Sequence, residues 1–521
     1  MLASLPCARI VRRTIATLAL AAVAACPAAR DPIECIDNTS CGLAAGGLCT
    51  LNPATGHQFC AYPDDGCAGG LRWSDYDVEQ PISGTCVDAP DAGVDAPPPV
   101  GWAMAASSSR DDFAYGVAFD PAGNAYVVGS FYGAASIAGQ AVTSNGSIDL
   151  FVAKLSPQGE RLWVRTFGGT GADEALDVAA TGTQVVIVGS FSNAVDFGTG
   201  LLTAPAGSTA GFTLSLDPTG ATVWADHLAG TSGVSFRSVD LSETDVAVMG
   251  QFYGTITLPA GPATGRMGDL VALRYEPTGT RAWAHVLGST SFDNVGGVAL
   301  DATGDVIVGL QFRESLDVGV GAPLTSAGNA DIAVARLARA SGAATWVRPY
   351  GGTGNESMAA LDVAGGTIAL AGSFTGATAI GATTATSAGI DDAFVASLDA
   401  SGAVAWAKTF GAAAEDAAYA VAATPTGVVA AGYFTDRVTV EGAILQSLGA
   451  KDVWLAEFSN TGVGLAAKRA GGGSSDWARA IAVRDGWVVV AGDTRGAPDM
   501  FGIALPALDQ FQDGFAVQVA R

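Results

Sequence analysis

Cations are scarce in this chain. Its 521 residues hold 26 Lys and Arg against 50 Asp and Glu, a formal net charge of −24. A nucleic-acid partner demands clustered cations to neutralise phosphate, so this balance argues against one. Histidine is rarer still: His57, His227 and His285 are the whole set. Serines are abundant but none sits in a nucleophile motif with an aligned histidine, so acyl-transfer chemistry has no recognisable machinery. Cysteine is absent after Cys86. After residue 30, no apolar run approaches the ~18 residues a membrane helix requires.

What is abundant is glycine, 69 residues, on a background that is 49% apolar. Many glycines between short apolar runs predict many short strands joined by tight turns. The acidic excess suits a surface or extracellular protein, a binder of cations or a binder of basic partners.

Residues 1–25 read as an export signal. Arg9, Arg12 and Arg13 form a basic start, residues 14–25 an apolar core, and small residues follow. Val23, Ala24 and Ala25 before Cys26 resemble the signal of bacterial lipoproteins. That resemblance implies cleavage before Cys26, a lipid on its thiol, and an outer-membrane or cell-surface address, towards which Pro27 also points. The alternative is an ordinary secretory signal.

Residues 26–87 hold Cys35, Cys41, Cys49, Cys60, Cys67 and Cys86. An even set packed into a short exported segment reads as a disulfide module, and six cysteines allow 15 pairings among which sequence does not choose. A zinc site is the rival, but there is no C-x-x-C spacing and only His57 lies nearby. The module is either a spacer or a growth-factor-like interaction unit. Residues 88–100, DAPDAGVDAPPPV, then form an extended, self-repelling linker.

From Gly101 to Arg521 one pattern cycles about every 60 residues. Its clearest copy is FVAKLSPQGERLWVRTFGG, residues 151–169: strand, glycine turn, strand, glycine exit. An acid opens each hairpin: Asp149, Asp269, Asp331, Asp392, Asp452 and Asp513, with Ala210 in the second copy. A tryptophan marks the next strand: Trp163, Trp224, Trp283, Trp346 and Trp406, with Leu465 near that place in the sixth copy. Two strands precede each hairpin, the second apolar on both faces, as in QVVIVGSF from Gln184. Seven units of four strands predict a seven-bladed β-propeller; parallel solenoids, with much shorter coils, are the competitor. The last copy stops after one hairpin strand, and GWAMAASS from Gly101 supplies the missing one, with Trp102 as the seventh repeat tryptophan. This pairing closes the ring and removes its open edge.

FVAKLSPQGERLWVRTFGG and the preceding GNAYVVGSF resemble the seven-bladed β-propeller repeat family of bacterial cell-surface proteins, over roughly residues 101–521. The resemblance implies an all-β fold and an exported location, and no reaction. Ala396–Trp406 also resembles the docking motifs of quinoproteins, where the tryptophan stacks on the next blade; no quinone-binding set accompanies it.

A second set of acids precedes the innermost strand: Asp112, Asp173, Asp293, Asp416 and Asp476, with Asn355 and Val234 at the other two positions. The topology puts both sets on one rim. Such acids cap loop N–H groups, hold calcium through hard oxygen ligands, or form an acidic face for a basic partner. Trp477, beside Asp476 and outside the repeat register, is a further candidate contact. The repeat tryptophans themselves are expected between blades. The expected function is non-catalytic binding of a protein or glycan at the cell surface by a monomer, with no cofactor beyond candidate calcium. The alternatives are a polysaccharide hydrolase or lyase using rim carboxylates and a structural surface component.

Overall fold

The structure is a computed structural model that describes Leu48–Leu51, Gln58–Pro63, Leu71–Trp73 and residues 101–521, except 497, 507, 509 and 510. The chain divides into two compact units, Met1–Ala96 and Pro97–Arg521. The export signal, Cys26, Cys35, Cys41, Cys67, Cys86 and the linker lie outside the described residues. In the first unit the three strands form an antiparallel sheet whose register makes Cys49 and Cys60 direct Cα partners.

The second unit is all β among its described residues. Its strands group by fours, named here sheets I to VII by their first strands: Phe113–Phe119, Asp173–Ala180, Val234–Leu241, Asn294–Leu300, Asn355–Ala364, Ala417–Thr424 and Trp477–Arg484. Each is an antiparallel meander. The fourth strand of sheet VII is Trp102–Ser108, from the other end of the chain. It pairs with Gln512–Ala520, Trp102 opposite Gln518 and Ala106 opposite Gly514. Its last residues also touch Ala135–Ile137 of sheet I.

Burial follows the sequence pattern. Second strands such as Val306–Phe312 and Gly427–Phe434 are buried throughout, because both faces meet neighbouring sheets. Fourth strands such as Arg161–Phe167 are largely exposed. There is accordingly no single core. Seven apolar clusters each lie between two adjacent sheets, and the one joining sheet VII to sheet I contains Trp102, Met104 and Phe151. Each first strand also packs on the first strand of the next sheet, and Trp477–Arg484 returns to Phe113–Phe119.

The repeat tryptophans are joints between sheets. Trp163, Trp224, Trp283, Trp346 and Trp406 each lie on the turn glycine of the next sheet: Gly220, Gly279, Gly342, Gly402 and Gly462. Trp102 lies on Gly159 in the same way. The turn needs glycine twice over, for a positive φ (+88° at Gly279) and because a Cβ there would sit 2.7 Å from the Trp224 ring. Four of the indole N–H groups reach the same turns, as where Trp224 Nε1 donates to the Pro277 carbonyl at 2.8 Å and Trp283 Nε1 to that of Arg339 at 2.9 Å; those of Trp102 and Trp346 are buried without such a bond. Sheet VI lacks the tryptophan. In sheet VII the third strand, Gln512–Ala520, and the fourth, Trp102–Ser108, are not joined by a glycine turn for it to cover. Lys468 Nζ donating to the Ala520 carbonyl and the Arg521–Glu457 ion pair hold that joint instead, and Leu465 is left exposed.

One feature escaped the sequence reading. Between second and third strands every sheet carries a small hairpin extension. Two are continuations of long strands, as in Ala125–Ile137 with Gln140–Leu155; five are separate ribbons such as Arg437–Val440 with Ala443–Gln446. Consecutive positive φ values at Glu441 and Gly442 give the tight turn that matches strand twist. The extensions pair with the loops that lead into their own sheets, as where Gly351 N donates to the Ala379 carbonyl.

Candidate functional site

The sequence expects the acids on an exposed rim; the structure places them beneath it. Asp112, Asp149, Asp173, Asp269, Asp293, Asp331, Asp392, Asp416, Asp452, Asp476 and Asp513 are all buried, none more than 7% exposed. Their local role recurs at most of these positions. Hairpin acids take the N–H four residues earlier, as in Asn145 N to Asp149 at 2.9 Å and Ala388 N to Asp392 at 3.1 Å. First-strand acids do the same, as in Gly169 N to Asp173 at 2.8 Å and Gly472 N to Asp476 at 2.8 Å. At the fifth unit the acid is Glu356, fully buried, rather than its neighbour Asn355.

The two sets meet. Each hairpin acid faces the first-strand acid of the next sheet: Asp149 with Asp173, Asp269 with Asp293, Asp331 with Glu356, Asp392 with Asp416, Asp452 with Asp476, and Asp513 with Asp112. Burial is the main cause that pushes Asp112, Asp173 and Glu356 up to about 7, and Asp293, Asp416 and Asp476 up to about 6. Among the described residues no group of three or more His, Cys, Asp or Glu is placed to hold a metal ion.

Ring order leaves a channel along the axis, lined by all seven first strands. Two chambers of about 290 Å³ each occupy it. Val117, Leu361, Val421 and Ile481 line both, together with Asp177 and Ser238, and form a waist. The chamber nearer the loops has unequal walls. Sheets IV and V contribute Gly296, Gly297, Ala359 and Ala360; sheets I, VI and VII contribute Tyr115, Tyr419 and Arg479, and Arg237 of sheet III is exposed there.

Trp477 belongs to this mouth. Its ring lies 4.4 Å from that of Tyr433 and 6.0 Å, edge-on, from Tyr419. The Lys451 ammonium sits 4.0 Å over Tyr433 and 4.2 Å over Trp477, and pairs with Glu415 at 2.7 Å. Arg479 lies over Tyr115 at 5.4 Å and Trp477 at 5.6 Å, with its charge met by the buried Asp493. Burial raises the Tyr115 phenol to about 12, so it is a hydrogen-bonding hydroxyl at neutral pH. The sequence showed Trp477 but not its company, because Tyr115, Tyr419 and Arg479 come from three separate repeats.

Deeper in the channel three further acids stitch sheets together. Asp177 accepts the Val239 N–H at 2.9 Å, Asp240 that of Leu300 at 2.7 Å, and Asp362 that of Ala423 at 2.7 Å. Each also takes the N–H of its following residue at 2.8 Å. Desolvation raises Asp177 to about 7 and Asp240 to about 6 against these N–H bonds. His227 and His285 are on fourth strands, His285 against the Ser341 carbonyl at 2.9 Å.

A β-propeller repeat family model matches residues 105–130. No curated protein matches this sequence. Among solved structures, the quinohemoprotein alcohol dehydrogenase of Comamonas testosteroni is 11% identical with a TM-score of 0.36, over 80% of this chain and 76% of that one. The phage phi92 endosialidase is 8% identical with a TM-score of 0.35, over 81% and 69%. A point mutant of the Synechocystis apocarotenoid oxygenase is 11% identical with a TM-score of 0.36, over 79% and 95%. The matched segment runs from the second half of the strand at Trp102 through the first strand of sheet I to Ser130 in its second; over that stretch the chain is similar to a β-propeller repeat, within an all-β fold of four-stranded sheets.

Proposed function

We propose that the chain is an exported lipoprotein with its lipid on Cys26, a disulfide module over residues 26–87, a linker over 88–100, and a seven-bladed β-propeller over 101–521 closed by the Trp102 strand. Its function is non-catalytic binding of a protein or glycan at the cell surface. The observation that carries this reading is the channel mouth, where Tyr115, Tyr419, Trp477 and Arg479 from three sheets gather over a chamber of about 290 Å³, opposite a wall of glycine and alanine. Aromatic and arginine side chains around a concave site are what recognition surfaces use. The nearby acids are already engaged: Asp493 with Arg479 and Gln512, Asp177 with two N–H groups.

A hydrolase or lyase is the second reading. Asp177 favours it, since a carboxyl raised to about 7 lining both chambers has the acidity of a general acid. One experiment separates the two. The full-length protein is incubated with cell-surface polysaccharide and with surface protein, and both binding and the chain length of the recovered ligand are measured. The expected result is binding that Tyr419→Ala weakens at least tenfold, with ligand recovered intact. Cleavage that Asp177→Asn abolishes would establish the enzyme instead.

A further inference from the structure

The six buried acid pairs are not six copies of two independent loop caps. At the joint between sheets II and III both acids are missing together. Ala210 stands for the hairpin acid and Val234 for its partner, at 0% and 1% exposure. If each carboxylate served only its own loop N–H, the two would be lost separately. Losing both at once, with an apolar contact in exchange, marks the pair as the unit.

The pairs are also tightly seated. At two joints the glycine that leaves the fourth strand lies under both carboxyl groups, and at Gly168, Gly288 and Gly411 it lies against the hairpin acid. A Cβ on Gly351 would sit 2.7 Å from both Asp331 Cγ and Glu356 Oε2; one on Gly471, 2.7 Å from Asp452 Cγ and 2.8 Å from Asp476 Oδ2. Oδ1 of Asp331 and both carboxyl oxygens of Glu356 are buried and accept no hydrogen bond of normal geometry among the described residues. Oδ1 of Asp149 and Oδ1 of Asp173 are buried and accept no hydrogen bond of normal geometry among the described residues. Two anions in such a place repel with little water to screen them, whereas one proton between two oxygens removes a charge and satisfies both.

We propose that five of these six joints are closed by a proton shared between the two carboxyl groups, the exception being Asp452–Asp476, where the Arg469 guanidinium pairs with Asp452 instead, so that the contacts between sheets loosen as those protons leave. Charged neighbours are few: Glu174 beside Asp173, Asp436 beside Asp416, Asp493 beside Asp476, and Arg469 paired with Asp452. The sign follows from the raised acids. An unfolded aspartate titrates near 3.8, and the folded first-strand acids at about 6 to 7. The folded state therefore holds extra protons in between, and stability falls as pH rises from about 4 through 7.

The test imports the protein's own apolar solution. Full-length wild type is melted from pH 5 to pH 8.5 beside the double variant Asp149→Ala, Asp173→Val. A control, Glu160→Gln with Glu276→Gln, removes two exposed charges. The wild-type Tm is expected to fall by several degrees with rising pH, the control to run parallel to it, and the double variant to fall less steeply. Asp173→Asn, whose amide donates to Asp149 at every pH, is expected to flatten the slope likewise and serves if the double variant does not fold. The wild type alone gives a further readout: an infrared C=O stretch of protonated carboxyl groups at pH 6 that disappears by pH 8. Slopes equal to wild type in the pair variants, or no such band at pH 6, would overturn the proposal. So would calcium retained at stoichiometric levels with a Tm lowered by chelator, because a cation would then occupy the pairs.

Discussion

The indole of Trp102 lies on Gly159, close enough that a Cβ on that glycine would be 2.5 Å from the tryptophan Cβ and Cγ. The first strand of the unit is thereby set against the turn of sheet I, while its backbone completes sheet VII with residues 514–518. Trp102 is 6% exposed. Truncating a buried tryptophan costs about 3–5 kcal/mol. Trp102→Ala should lower the melting temperature by several degrees, and deletion of residues 101–108 should do so far more. A deletion variant that melts like wild type would show that this closure contributes nothing.

Gly279 and Gly207 separate two effects. Both have positive φ, +88° and +73°, but a Cβ on Gly279 meets the Trp224 ring whereas one on Gly207 meets nothing. Gly207→Ala should cost about 1 kcal/mol, the backbone contribution alone. Gly279→Ala should cost at least twice that in chemical denaturation. Equal losses would mean that the tryptophan adapts and the contact matters little.

The channel stitches are testable one at a time. Asp362→Ala leaves the Ala423 N–H without its acceptor and should destabilise by about 1–3 kcal/mol. Asp362→Asn keeps an acceptor and removes a charge that the channel disfavours, so its loss should be smaller. Denaturant midpoints in the opposite order would refute the assignment of Asp362 as an acceptor between sheets V and VI.

Cys49 and Cys60 are cross-strand partners, a separation a disulfide spans. Non-reducing peptide mapping of the full-length protein made under oxidising conditions should recover these two cysteines in one linked peptide. Recovery of either with another partner would assign the module a different connectivity.

The repeat was legible because periodic demands leave periodic residues. A strand buried on both faces must be apolar throughout, and a turn under an indole must be glycine, so QVVIVGSF and the tryptophan–glycine spacing announce themselves. The acids were legible as positions but not as a surface. Asp149 and Asp173 lie 24 residues apart in different sheets, and only the packing of those sheets shows that they face each other. The repeat spacing points to Asn355 rather than Glu356, because spacing does not say which of two neighbouring side chains turns inward.

Sequence by itself determined the strand order, the turn glycines, the joint tryptophans and the missing hairpin strand at Gly101, because each is required by local geometry repeated in every unit. Tertiary structure alone decided that the acids are buried in pairs and that Tyr115, Tyr419, Trp477 and Arg479 share one channel mouth. Those relations join different units, and desolvation and facing partners arise only when neighbouring sheets close upon each other.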